Sequence, residues 1–174
     1  RWRGGGVAAG GTRLLCAGVA ASDRGRILGQ REESQRMTHC GTSGKYIDAQ
    51  KKIAIVPRKD FDLGSIRTMF STGSPLSPES FDYVYQCVKE DLCLSSISGG
   101  TDIVSCFALG VPTLPVWRGE LQCRGLGLDG DVYADDGPPV GREAGELVVQ
   151  STLPATAGGF WTRPDGASAP PALS

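Results

Sequence analysis

Histidine is nearly absent from this sequence. The 174 residues contain one, His39, and six cysteines with no CxxC pair among them. A structural zinc site draws on about four Cys or His ligands, usually with one close pair, and this composition does not offer that set. Cys16, Cys40, Cys87, Cys93, Cys106 and Cys123 are irregularly spaced. No secretory signal accompanies them, so a disulfide framework lacks its usual setting. They read as reduced, small, mostly buried apolar groups in a chain expected inside the cell. A basic excess is missing too: Lys+Arg is 18 and Asp+Glu is 19, for a net charge of -1. That excludes a strongly basic nucleic-acid binder. No apolar run approaches the roughly 20 residues that span a bilayer. Neither nucleic acid nor membrane is therefore an expected partner, and oligomeric state is not readable.

Glycine is what the chain has in excess. Gly 25 and Pro 11 make up about a fifth of it, against about 12 % in average usage. The glycines crowd residues 1–36, which also hold seven Arg against Asp23, Glu32 and Glu33. Arg-rich, acid-poor composition suits a nucleic-acid arm or a transit peptide. The plainer alternative is a disordered segment whose side chains cannot offset the entropy of ordering it. Glu32, Glu33 and the glycines favour the plainer one. Residues 162–174 lack periodicity and read as a flexible tail. The expected ordered part is 37–161, one domain by size.

Residues 66–70 are a short apolar run leading into Ser71-Thr72-Gly73-Ser74-Pro75, a pattern that predicts a buried strand entering a loop. The following helix has the clearest signals. Ser77 can cap it, Pro78 suits its first position, and Glu79 lies near its positive dipole end. Phe81, Val84, Tyr85 and Val88 share one face, and Lys89 follows near the carboxyl end, where a cation is favoured. Residues 92–97 read as a second strand, ending at Ser98-Gly99-Gly100-Thr101-Asp102. Strand, helix, strand makes one right-handed βαβ unit. Ligands of parallel sheets sit at the carboxyl ends of the strands, where both loops fall. Residues 45–56 predict a short helix before Pro57. Segments 121–124, 130–133 and 146–150 are strand candidates, with a turn at Asp135-Asp136-Gly137-Pro138. They predict an antiparallel hairpin region attached to the parallel core.

Ser98–Asp102 is the best site candidate. Glycines let a ligand approach the backbone, a hydroxyl can meet phosphate, and a carboxylate can hold Mg²⁺. The alternative is a tight turn in which Thr101 and Asp102 only cap a helix. Ser71–Pro75 carries a weaker form of the same pattern, with an ordinary strand-to-helix connection as its alternative. Gly41-Thr42-Ser43-Gly44-Lys45 lacks the spacing of a phosphate loop, and Tyr46 stands where Ser or Thr should follow the lysine. His39 has no evident partner set for base catalysis and reads as structural. Trp117 and Trp161 read as packing residues.

In order, these segments resemble one family. Thr38–Tyr46, Ser71–Leu76, Ile97–Phe107 and Leu114–Gln122 with Gly125-Leu126-Gly127 are similar to acetoacetate–CoA ligases (acetoacetyl-CoA synthetases), and Gly145–Val148 resembles a segment shared by the wider acyl-adenylate-forming superfamily. The resemblance covers about residues 37–166. It implies an α/β fold: part of an adenylate-forming N-terminal domain, with a parallel βαβ core, a small antiparallel region and disordered ends. It implies an AMP-forming ligase that activates acetoacetate with ATP and passes it to coenzyme A, feeding lipid synthesis or ketone-body use in the cytosol. The implied nucleotide-binding residues are Gly73, Ser74 and Pro75 against the adenine, and Ser98, Gly99, Gly100 and Thr101 along the nucleotide. Asp102 is the implied Mg²⁺ ligand, where most of the superfamily has glutamate. Gly41, Thr42 and Ser43 are implied near the acyl pocket.

The departures bear on activity. The superfamily's phosphate loop with its lysine, its ribose-binding aspartate and the catalytic lysine of its C-terminal lid have no match here. Gly110-Val111-Pro112 and Leu128-Asp129-Gly130 look locally altered. The expectation is a middle slice of the enzyme, weakly active or inactive, and Arg1 in place of Met agrees with it. The alternative is a truncated isoform or mispredicted gene product acting at most as a nucleotide- or partner-binding module. An unrelated dinucleotide-binding βαβ unit is disfavoured because no G-x-G-x-x-G follows a strand.

Overall fold

The computed structural model describes residues 10–14, 26–101, 103–134, 137, 139, 141 and 144–151. Its centre is a parallel sheet of β1 (His39–Ser43), β2 (Thr68–Thr72) and β3 (Cys93–Ser96), in that order. The register aligns Ser43 with Thr72 and Ser71 with Ser96. All three strands therefore end at one edge. Parallel neighbours cannot be joined by a tight turn, so each connection crosses over through helices. Between β1 and β2 run α2 (Gly44–Lys52) and α3 (Pro57–Asp60). Between β2 and β3 runs α4 (Pro78–Tyr83), continued by a wider π-type turn over Val84–Val88.

The expected βαβ unit is present, and β1 extends it by one strand. Strand limits differ from the apolar runs. Ile66 is fully buried yet lies in the turn before β2, whereas Ser71 is inside the sheet. Apolar runs mark burial, while the ladder follows backbone pairing. The helix expected over 45–56 stops at Lys52, and Ala54 takes a left-handed φ of 54° before α3 restarts at Pro57.

Ser77 stands at the N-cap of α4, but its hydroxyl pairs with Ser80 Oγ at 3.0 Å instead of a helix amide. Ser80 is buried, donates to the Asp48 carboxylate and accepts from Lys51 Nζ at 3.1 Å. This cluster fastens α4 to α2. Phe81, Val84 and Val88 are buried against Ile47, Met69, Leu76 and Leu94 in one core, where each such side chain contributes roughly 1.5–3 kcal/mol. Lys89 does not serve its own helix end. Its ammonium donates to the carbonyls of Gly64 at 2.9 Å and Ile66 at 2.5 Å, ahead of β2.

Residues 26–36 differ from the disordered segment expected before residue 37. They contain α1 (Ile27–Ser34). A Cβ at Gly29 would overlap the Phe61 ring, so only glycine admits this contact. Arg26 pairs with Asp60 at 3.1 Å and lies over the same ring, and Glu33 Oε1 accepts from Asp62 N at 2.9 Å. The fastening groups are charged or absent side chains, which is why hydrophobic patterning misses α1.

The hairpin region is also present. β4 (Ala108–Leu109) pairs with β5 (Cys123–Arg124), and β6 (Gly130–Tyr133) with β7 (Glu146–Val149), both antiparallel. Asp135, Asp136 and Pro138 of the expected turn, Trp161, Cys16 and residues 162–174 lie outside the described residues. Trp117 is not a packing residue: it is 62 % exposed, and its neighbour Val116 turns to the core instead. Cys87, Cys93, Cys106 and Cys123 are half-buried free thiols, and Cys40 is buried. No helix among the described residues is long and apolar enough to cross a membrane.

Cys40 is not in the purely apolar setting expected of it. Its partner is Glu32 of α1, which is only 4 % exposed. Burial raises the Glu32 carboxyl above its ordinary value of 4.5, and the thiol hydrogen bond offsets part of this. A carboxyl raised in the fold binds its proton better there than in the unfolded chain. Its contribution to stability is therefore intact below pH 4.5 and is lost as pH rises through the folded value. Glu32→Gln is expected to stabilise the protein at neutral pH, because the amide keeps the shape of the carboxyl without burying a charge. Urea midpoints measured from about pH 4 to 8 should fall with pH in the parent and stay flatter in the variant. Parallel pH profiles would remove this reading.

Candidate functional site

Three chain segments leave the carboxyl edge of the parallel sheet side by side. The first is the end of β1. Gly41 is exposed, while Thr42 shares the helix side of the sheet with Cys40 and lines a small cavity with Glu32, Tyr46 and Gln50. That cavity is about 20 Å³, room for a single water and no substrate. Ser43 caps α2, its hydroxyl accepting from Tyr46 N at 3.2 Å. The trio Gly41, Thr42 and Ser43 is thus divided. Strand alternation separates the first two, and capping occupies the hydroxyl of the third.

The second segment follows β2. Gly73 has φ 83°, and the space where a Cβ would stand is open. Ser74 Oγ is buried and has no hydrogen-bond partner among the described residues. Buried hydroxyls are normally satisfied, and among the described residues Ser71 and Ser95 share this unpartnered state. The bend packs onto the first segment: a Cβ at Gly44 would lie 2.8 Å from Ser74 Oγ and 3.0 Å from the Pro75 carbonyl. Pro75 is exposed and Leu76 is buried, which anchors the bend to the core.

The third segment follows β3. Ser98 is not in a free loop. It forms an antiparallel bridge with Ala108, with Ser98 N to Ala108 O at 3.0 Å and Ala108 N to Ser98 O at 3.2 Å. Gly99 and Gly100 are half-buried, and Thr101 is exposed, its carbonyl accepting from Val104 N at 3.1 Å. Val104 closes this turn with φ 49° and is 74 % exposed. For a β-branched residue the left-handed region costs on the order of 1–2 kcal/mol. Asp102 lies outside the described residues. Among those described, no group of three or more His, Cys, Asp or Glu gathers to hold a metal ion.

Residues 73–75 and 98–101 therefore share one edge of one sheet. Gly44 and Ala108 set the positions of these loops. Gly44 enters the sequence reading only within the Gly41–Lys45 run that fails as a phosphate loop, and Ala108 carries no local signal. His39 is exposed, bonded to Thr38 Oγ1 at 2.8 Å and stacked on Phe70, which agrees with a structural role. A larger hollow of about 520 Å³, lined by Arg26, Ile53–Val56, Lys59 and Asp60, includes no residue of the three segments.

No known family profile matches the chain. Individual relatives do. It is 51 % identical over 166 residues, 95 % of its length, to acetoacetyl-coenzyme A synthetase of Rhizobium meliloti (strain 1021), of which it spans 26 %. Acetoacetyl-CoA synthetase from Streptomyces lividans matches 80 % of the chain with a TM-score of 0.71 and 42 % identity, over 22 % of that protein. The anthranilate CoA ligase AuaEII, solved in complex with anthranoyl-AMP, matches 88 % of the chain and 28 % of its own with a TM-score of 0.74. At 17 % identity it shows the fold alone. The 95 % coverage takes in most of residues 1–36, so the likeness begins earlier than the expected limit at 37. Sequence identity and fold agree: over a stretch about a quarter as long as its curated relatives, this chain belongs to the acetoacetyl-CoA synthetase family.

Proposed function

We propose that the carboxyl edge of the parallel sheet is one wall of an acyl-adenylate site, where acetoacetate is activated with ATP and passed to coenzyme A. One observation carries the reading: the bends after β2 and β3 meet at the same sheet edge in a chain of this family. In the proposed site Gly73, Ser74 and Pro75 lie against the adenine, with Ser74 Oγ taking the hydrogen bond it lacks. Ser98, Gly99, Gly100 and Thr101 run along the nucleotide, with peptide N–H groups and the Thr101 hydroxyl serving the phosphate. Gly41 is the member of its trio that remains open to an acyl group.

In this reading Mg²⁺ is bound largely through substrate. This ion keeps several waters and takes one or two carboxylates plus substrate phosphates, so it needs no three-residue cluster. Asp102 would hold it, and the ion would supply charge neutralisation at the phosphates. The chain's own residues position the α-phosphorus for attack by the acetoacetate carboxylate, which forms acetoacetyl-AMP and releases pyrophosphate. Thiol attack at the acyl carbon then releases AMP. The product, acetoacetyl-CoA, would serve lipid synthesis in the cytosol.

The 174 residues by themselves are expected to bind nucleotide weakly and to turn over little. Positioning and charge stabilisation supply most of the rate in such chemistry, and no phosphate-loop or lid lysine is matched here. Calorimetry with ATP and Mg²⁺ should give a dissociation constant on the order of 0.1–1 mM. Asp102→Ala should blunt its Mg²⁺ dependence. Acetoacetate-dependent ATP–pyrophosphate exchange should stay at background. No nucleotide heat at any concentration rejects the site and favours a non-catalytic module, whereas robust exchange rejects the expected low activity.

Gly44→Ala tests the wall between the first two segments. The added methyl is expected to push the 73–75 bend outward and weaken ATP binding at least several-fold, because the Pro75 carbonyl cannot yield as a side-chain tip can. Unchanged affinity with an unmoved bend in a crystal structure of the variant would count against it.

A further inference from the structure

The loop proposed to run along the nucleotide is held by contacts that begin at Gln122, just before β5. Among the described residues its carboxamide bonds only to backbone. Oε1 accepts from Val111 N at 3.0 Å, and Nε2 donates to Val111 O at 3.1 Å, Leu114 O at 2.8 Å and Pro115 O at 3.2 Å. An amide that meets both the N–H and the C=O of one residue does what a peptide group of a neighbouring strand does. The β4–β5 ladder ends at Leu109–Cys123, and the Gln122 side chain takes over one step beyond it.

Gly110 lies between this carboxamide and β3. A Cβ at Gly110 would overlap Ser95 Oγ and lie 2.7 Å from Gln122 Oε1. Ser95 is buried in β3, three residues before Ser98, and its hydroxyl has no hydrogen-bond partner among the described residues. The contact is therefore steric: Gln122 backs the Gly110 peptide where it presses on the sheet. Two residues upstream, Ala108 makes the two bonds that fix Ser98, while Phe107 N also donates to Ser98 O at 2.9 Å. Gln122, Gly110, Ala108 and Ser98 form one continuous set of contacts.

We propose that Gln122 is a positioning residue for the Ser98–Thr101 loop, acting through the 108–111 strand and not by touching substrate. The functional half of this inference rests on the nucleotide site proposed above; the structural half does not. Replacing the amide by a carboxylate of the same shape sets an acceptor against three carbonyls. Replacing it by an apolar group removes the acceptor from Val111 N and the donor to Leu114 O and Pro115 O, while Val111 O keeps its bond from Leu114 N.

The test compares the full chain with Gln122→Glu and Gln122→Leu, by residue-resolved amide hydrogen exchange and by titration with AMP. Exchange at Val111, Ser98 and Ala108 should quicken at least tenfold in both variants, with β2 amides unchanged. AMP affinity should fall at least fivefold. Fast exchange at Val111 with Ser98 and Ala108 unchanged overturns the proposal, because the clamp would then be local. A matching rise at β2 in both variants also overturns it, because the role would then be general stability. If Gln122→Leu alone loses the whole fold, Gln122→Glu decides. If the parent chain binds no AMP, the nucleotide reading fails by itself, and exchange at Ser98 still decides whether Gln122 positions the loop.

Discussion

Parallel pairing of β1, β2 and β3 is the constraint on which the rest depends. Strands that run the same way must return through crossovers, so their carboxyl ends gather at one edge. The Ser43–Thr72 and Ser71–Ser96 alignments therefore do more than close a sheet. They bring segments nearly thirty residues apart in sequence into one surface. A one-residue slip in either pairing would turn the alternate side chains to the wrong face and bury Gly41 where Thr42 now stands.

The edge is kept in shape by close approaches that a side chain would prevent. Gly44 lets the Ser74–Pro75 bend rest on the start of α2, and Gly110 lets its peptide rest on Ser95. Each contact joins one crossover or hairpin to its neighbour. Buried polar groups do the same for the helices: Ser80, Asp48 and Lys51 tie α4 to α2 on the helix layer, close to where both leave the edge. Hydrophobic burial supplies the driving force, while these specific contacts decide where the loops stand.

The helix layer also holds an electrostatic cost. Glu32 brings a carboxyl under α1, where burial opposes its charge and the Cys40 thiol is its hydrogen-bonding partner. Tyr46, in the same cluster, has its phenol pushed up by burial and by the neighbouring Glu32 and Cys40. The small cavity beside them is on the helix side of the sheet. The left-handed Val104 and the unpartnered Ser74 hydroxyl are of another kind, and they lie in the segments after β3 and β2.

The sequence by itself determined the family, the βαβ unit, the buried stripe of α4 and the candidate loops, because these rest on local spacing: apolar period, capping residues and runs of short motif. It overran the helix at 45–56 and placed strand limits by hydrophobicity, which reports burial and not backbone pairing. Tertiary structure decided what no local pattern encodes. It folded α1 through charged groups and a missing Cβ, turned Trp117 outward, and divided Gly41, Thr42 and Ser43 between the two faces of a strand and a cap. It also pinned Ser98 to Ala108 and gave Gln122 a strand's worth of backbone partners. Each of these depends on the distance between residues far apart in the chain, and only the packed sheet sets that distance.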